Sequence, residues 1–109
     1  MTIHIDALTI EVIIGILDFE REKLQRIVID LEADYAYDNE FIDYSVIEEM
    51  ISQELKQKRY KLLEDALIGI QSLIISRYPQ IKRLWLKISK PDIMERCSVA
   101  LSDTWNADS

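Results

Sequence analysis

Gln25-Arg26-Ile27-Val28-Ile29-Asp30-Leu31-Glu32-Ala33-Asp34-Tyr35-Ala36-Tyr37 puts Ile27, Ile29, Leu31, Ala33 and Tyr35 at every second position, with Val28, Asp30, Glu32 and Asp34 between them. A period of two sends neighbouring side chains to opposite faces, so this run predicts a strand with one apolar and one acidic face. Toward the N-terminus, Ile3 to Leu17 reads as a longer strand, in which Leu8, Ile10, Val12, Ile14 and Ile16 alternate with Thr9, Glu11 and Ile13. Gly15, late in that run, marks a bulge or a close backbone approach. The charged stretch Asp18-Phe19-Glu20-Arg21-Glu22-Lys23-Leu24 lacks alternation and reads as the loop joining two antiparallel strands.

Toward the C-terminus the period changes. Asp38-Asn39-Glu40 is a turn, and Ser45 with Glu48 has capping-box spacing. Ile47, Met50, Ile51 and Leu55 follow at helical intervals, predicting a helix from Ser45 to Lys58. After a basic turn at Gln57–Lys61, a second helix runs from Leu62 to Arg77, with Leu63, Ala66, Leu67, Ile70, Leu73 and Ile74 as its apolar stripe. Tyr78-Pro79 ends it, because a residue before proline avoids helical geometry. Ile81 to Lys90 alternates again, Pro91 to Glu95 turns, and Arg96 to Thr104 forms a fourth strand with Cys97, Val99 and Leu101 on one face. A frayed tail is expected at 106–109, leaving a single domain at 1–105. The order strand, strand, helix, helix, strand, strand predicts an α+β fold, a four-stranded antiparallel sheet with both helices on one face. Such a sheet has two open edges, and Ile3 to Leu17 carries more apolar residues than one face can use. Both features predict an oligomer whose other subunits cover them. The plainer alternative is a monomer with its second face covered by Glu11, Asp30, Glu32 and Asp34.

The composition narrows the classes of function. The chain has 109 residues and a net charge of −7, which counts against nucleic acid or an anionic membrane as partner. No apolar run approaches the roughly 20 residues of a membrane helix, and Met1 to Asp6 has neither the basic head nor the apolar block of a secretory signal. A single cysteine, Cys97, cannot close an internal disulfide and fits a reducing cytoplasm. A single histidine, His4, leaves no cluster for a zinc site.

Taken singly, the polar residues are ambiguous. Glu20 sits in what reads as a solvated charge run. Tyr44 reads as an apolar residue leading into the first helix. Glu64, in the first turn of the second helix, either complements the helix dipole or anchors paired N–H donors. Lys90 is aimed by Pro91, or simply guards an edge strand against aggregation. Cys97 reads as a small core residue, His4 as structural, and Trp85 and Trp105 as packing or interface residues rather than a ligand box.

Together they resemble a family. Ile14-Gly15-Ile16-Leu17-Asp18-Phe19-Glu20 followed by Gln25, then Asp43-Tyr44, Leu62-Leu63-Glu64 and Ile88-Ser89-Lys90-Pro91, is similar to dihydroneopterin aldolase over Ile3 to Leu101. The resemblance implies the tunnelling fold, in which four subunits close their sheets into a barrel and two such rings often stack. It implies a lyase of folate biosynthesis. The reaction is retro-aldol cleavage of 7,8-dihydroneopterin to glycolaldehyde and 6-hydroxymethyl-7,8-dihydropterin, with no metal, cofactor or Schiff base. Glu64 would accept hydrogen bonds from the pterin amino group and ring N–H, with a backbone contact from Leu63. Lys90 would assist proton transfer through water, Glu20 would position it, and Gln25 would support the Glu20 loop. Tyr44 would reach in from the neighbouring subunit, with Ile42 beside it lining the pterin pocket. The rivals are a 2′-epimerase of dihydroneopterin or its triphosphate, and a non-catalytic pterin-binding oligomer.

Overall fold

The structure, a computed structural model, describes residues 1–107. Strand β1 (Thr2–Val12) is followed by a short helix α1 (Asp18–Glu22), strand β2 (Gln25–Tyr35), helices α2 (Tyr44–Lys58) and α3 (Leu63–Arg77), and strands β3 (Ile81–Lys90) and β4 (Val99–Asn106). The four strands form one antiparallel sheet in chain order, leaving β1 and β4 as its edges. Both long helices pack on one face, α2 over β1 and α3 over β3 and β4. This is the α+β architecture that the periodicity predicts.

The core lies between that face and the helices. Ile27, Ile29, Leu31 and Ala33 of β2 and Leu84, Leu86 and Ile88 of β3 are fully enclosed, opposite Ile47, Ile51 and Leu55 of α2 and Ala66, Leu67, Ile70 and Ile74 of α3. Each such leucine or isoleucine contributes roughly 1.5–3 kcal/mol, so the alternation of β2 accounts for which face the helices cover.

Two irregularities reassign residues that strict alternation would misplace. The β1 register slips between Ile5, opposite Leu31, and Leu8, opposite Ile29, so one extra residue is accommodated. Ala7 takes a positive φ of 57° there, and its N–H donates to Asp30 Oδ1 at 2.8 Å. The bulge turns Ile3 and Ile5 to the same face as Leu8 and Ile10, all four packing against the core. A second slip between Asp34 and Tyr35 brings Ile81 onto the face of Leu84. The leftover apolar face expected from Ile3 to Leu17 is therefore absent among the described residues. The face away from the helices is largely polar instead, crossed by Arg83 bonded to Asp34 at 2.7 Å and Glu32 at 3.0 Å.

Other boundaries move for local reasons. The first strand stops at Val12 rather than Leu17, and 18–22 is helical rather than loop. The N-cap of α2 is Asp43, not Ser45: its carboxylate accepts from Ser45 N at 2.9 Å and Ser45 Oγ at 2.6 Å. Cys97 precedes β4 in the β3–β4 loop and is exposed, so it is not the core residue expected of a strand from Arg96 to Thr104. The chain end is tied down further than expected. Asn106 pairs with Arg83 and Ala107 N donates to Lys82 O, while the rest of the expected frayed tail, 108–109, lies outside the described residues.

Candidate active site

Gly15 follows β1 with a φ of 120°, a conformation that suits glycine. The Cβ of any other residue there would fall on the carboxylate of Glu20, so the close approach that Gly15 suggests in the sequence is to that side chain. The chain then turns through α1, whose third residue, Glu20, points back toward the loop: its Oε1 accepts from Leu17 N at 3.2 Å. Glu20 is only 3% exposed, so the solvated charge run is not solvated at this position.

Two further donors meet Glu20 Oε2. Gln25, the first residue of β2, donates its Nε2 to Glu20 Oε2 at 2.7 Å and to Ile14 O at 2.6 Å. Lys90, the last residue of β3, continues the inward alternation of Leu84, Leu86 and Ile88, and its Nζ bonds Glu20 Oε2 at 2.7 Å. Burial pushes the Glu20 carboxyl up, but the hydrogen bonds from Lys90, Gln25 and Leu17, with the charge of Lys90, outweigh it and hold the group below its ordinary range. The result is an ionised carboxylate whose two oxygens are occupied and whose charged partner, Lys90, is fixed at the end of a strand.

Glu64 lies on the same side of the sheet. It is the second residue of α3, exposed, and lines a cleft of about 310 Å³ with Leu67, Ile68, Leu101, Ser102 and Asp103. Leu101 pairs with Ile88, two residues before Lys90 on the same face, so the cleft and the buried pair share the helix-facing side of the β3–β4 hairpin. Leu63 packs partly against the core immediately before Glu64. A ligand edge with two parallel donors fits a carboxylate presented in this way.

Tyr44 and Ile42 are placed elsewhere. Tyr44 opens α2 and is 68% exposed. Its neighbour Asp43 lines a cavity of about 550 Å³ with Arg77 and Tyr78, at the end of α3 remote from Glu64. A helix of 15 residues spans about 22 Å at roughly 1.5 Å per residue, so Tyr44 cannot complete the cleft of its own chain. Ile42, expected at a pocket wall, is 4% exposed and belongs to its own chain's core, so its side chain is not presented to a ligand. Sequence reasoning missed Arg21 altogether. It is half-buried, and its guanidinium donates to three backbone carbonyls, Gly15 O at 3.0 Å, Tyr60 O at 3.2 Å and Arg59 O at 2.8 Å. The charge run around it concealed that role.

Among the described residues no three His, Cys, Asp or Glu side chains converge as a metal cluster, and no helix is long and apolar enough to cross a membrane.

Comparison with known proteins gives the family. Residues 3–102 match the family model described as "FolB: Dihydroneopterin aldolase". A dihydroneopterin aldolase of Haemophilus influenzae is 29% identical over 100 residues, 82% of this chain and 81% of that protein. The Escherichia coli dihydroneopterin aldolase structure in complex with neopterin superposes with a TM-score of 0.85 at 23% identity, covering 97% of this chain and 99% of that one. The dihydroneopterin aldolase structure from Burkholderia thailendensis, bound to guanine, has a TM-score of 0.81 at 15% identity, covering 99% and 92%. At these identities the two structures establish the shared tunnelling fold, and the match across 3–102 goes further: this chain belongs to the dihydroneopterin aldolase family.

Proposed function

We propose that the protein is a dihydroneopterin aldolase, a lyase that cleaves 7,8-dihydroneopterin to glycolaldehyde and 6-hydroxymethyl-7,8-dihydropterin without a metal or a lysine Schiff base. The observation that carries this reading is the buried Glu20–Lys90 pair, supported by Gln25, on the same helix-facing side of the sheet as the cleft lined by Glu64. Glu64 takes the pterin's amino and ring N–H donors, and Leu63 adds a backbone contact. Lys90 then faces the side-chain end of the substrate. The C2′ hydroxyl loses its proton, the C1′–C2′ bond breaks, and its electron pair moves into the ring as N5 takes up a proton. Glycolaldehyde leaves, C1′ takes up a proton to give the hydroxymethyl group, and N5 gives its proton back as the C6=N5 double bond is restored. Lys90 handles these protons through water, and Glu20 fixes its position and charge. The electron sink belongs to the substrate, so no added cofactor is required.

The site is proposed to be completed by a second copy. The open edges β1 and β4 pair between subunits to close a barrel, and Tyr44 of a neighbour enters beside Lys90. The exposure of Tyr44 and its distance from its own Glu64 support that arrangement. The reading places the enzyme in the cytoplasm, where the exposed Cys97 stays reduced.

The test is incubation with 7,8-dihydroneopterin and assay for glycolaldehyde. Cleavage is expected. Inversion at C2′ without cleavage would favour an epimerase, and binding without conversion a pterin-binding module. Lys90→Ala should bind pterin yet lose roughly 10²–10⁴-fold in kcat, the usual worth of a positioned acid–base group. Glu64→Ala should lose binding. Turnover by Lys90→Ala equal to the parent would remove Lys90 from the mechanism.

A further inference from the structure

The chain contains two glycines, and each makes room for a specific polar side chain. Gly15 accommodates the Glu20 carboxylate, and Gly69, within α3, accommodates the Tyr60 hydroxyl, where an added Cβ would collide with it. Tyr60 lies in the connector between α2 and α3, and its hydroxyl donates to Glu54 on α2. Burial, with Glu54 as acceptor, pushes the phenol up to about 12, so this bond is protonated at any working pH. The ring thus fastens the connector to α2 at Glu54 and to α3 at Gly69.

The connector is fastened a third time, to the loop that carries Glu20. Gly15 N donates to Tyr60 O at 3.0 Å. Arg21 Nη1 donates to both Gly15 O and Tyr60 O, and its Nη2 donates to Arg59 O, whose residue sits at a positive φ of 47°. A planar guanidinium can hold three carbonyls in this way, whereas a lysine ammonium offers no fork. Glu20 immediately precedes Arg21 in α1, and Glu64 follows Tyr60 by four residues.

We propose that Arg21, braced by Tyr60, is a positioning residue: it ties the loop presenting Glu20 to the connector that launches Leu63-Glu64, and so sets the spacing between the charged pair and the carboxylate anchor. This deepens the aldolase reading and rests on it. One end of the substrate is held by Glu64 and the other reacts near Lys90, so a small change in that spacing leaves head-group binding intact and moves the scissile bond out of reach. A displacement of about 1 Å costs up to about a hundredfold in rate.

The experiment compares the parent with Arg21→Ala, Arg21→Lys and Tyr60→Phe as assembled proteins. It measures kcat and KM for glycolaldehyde release, together with the Kd of guanine, a head-group probe with the same amino and ring N–H edge but no side chain to cleave. Arg21→Ala is expected to lose about ten- to a hundredfold in kcat, with guanine affinity within about twofold of the parent. Arg21→Lys, which reaches one carbonyl, should regain part of the rate. Parental kcat in Arg21→Ala overturns the proposal, as does a fall in guanine affinity that matches the fall in kcat, the mark of a merely structural role. If Arg21→Ala does not fold, Tyr60→Phe decides, since it removes one oxygen: a severalfold loss of kcat with unchanged guanine affinity supports the proposal, and parental kcat overturns it. A parent that releases no glycolaldehyde overturns the aldolase reading and the positioning role with it, whereas an active parent with equally active variants overturns the positioning role alone.

Discussion

Replacing Lys90 by methionine should destabilise the protein at neutral pH, and the deficit should shrink in acid. The side chains of Lys90 and Glu20 are 11% and 3% exposed and their charged atoms are 2.7 Å apart. At an effective dielectric constant of about 20, that separation corresponds to an attraction of roughly 6 kcal/mol. Desolvation offsets much of it, at several kcal/mol per ion, so the pair as a whole contributes little net stability. Removing one partner is different, because Glu20 is then a buried charge without a counter-charge, at a cost of about 3–5 kcal/mol. Gln25 and Leu17 N still bond the carboxylate, which places the expectation near about 3 kcal/mol, or roughly 12 °C in Tm. The pH dependence has a definite sign. In the parent the Glu20 carboxyl is held below its ordinary 4.5, so its contribution is full above that value and is lost as pH falls through the folded value. In the variant the upward push of burial is opposed by fewer groups, the folded protein takes up a proton more readily, and acid narrows the gap to the parent. Thermal unfolding from pH 7 to pH 4, followed by circular dichroism, reads this directly. The paired substitution Glu20→Gln with Lys90→Met should recover to within about 1 kcal/mol of the parent. A Lys90→Met protein that melts with the parent at pH 7, with no change in the difference on acidification, would refute the buried pair.

Gly15→Ala should cost about 1–3 kcal/mol from the φ of 120° alone, and its methyl group would displace the Glu20 carboxylate, so thermal melting and glycolaldehyde release should fall together. Asp43→Ala should lower Tm by a few degrees while Asp43→Asn should not, since asparagine caps Ser45 N equally well; parallel thermal melts check it.

Much of the fold was legible in the chain because periodicity is a local record of which side meets water. The alternation of Ile27 to Ala33 and of Leu84 to Ile88 identified β2 and β3 and their buried face, and β3 has the same ends by either route. The apolar stripes of α2 and α3 located both helices to within a residue. Alternation fails where one residue is inserted. The change from Ile3 and Ile5 to Leu8 and Ile10 was present in the sequence as a shift of parity, but only pairing with β2 turns it into a bulge rather than a second apolar face.

The candidate site divides along the same line. Which residue types are available, a carboxylate at the start of α3 and a lysine before Pro91, follows from the sequence, and so does the family resemblance that links them. What only the tertiary structure decided is where charges meet. Glu20 and Lys90 are 70 residues apart, and nothing in the run Glu20-Arg21-Glu22-Lys23 separates the buried carboxylate and the clamped guanidinium from the solvated neighbours beside them. Hydrophobic periodicity reports a contrast between two sides of one element. An ion pair between elements depends on their docking, which the packing of the whole core determines.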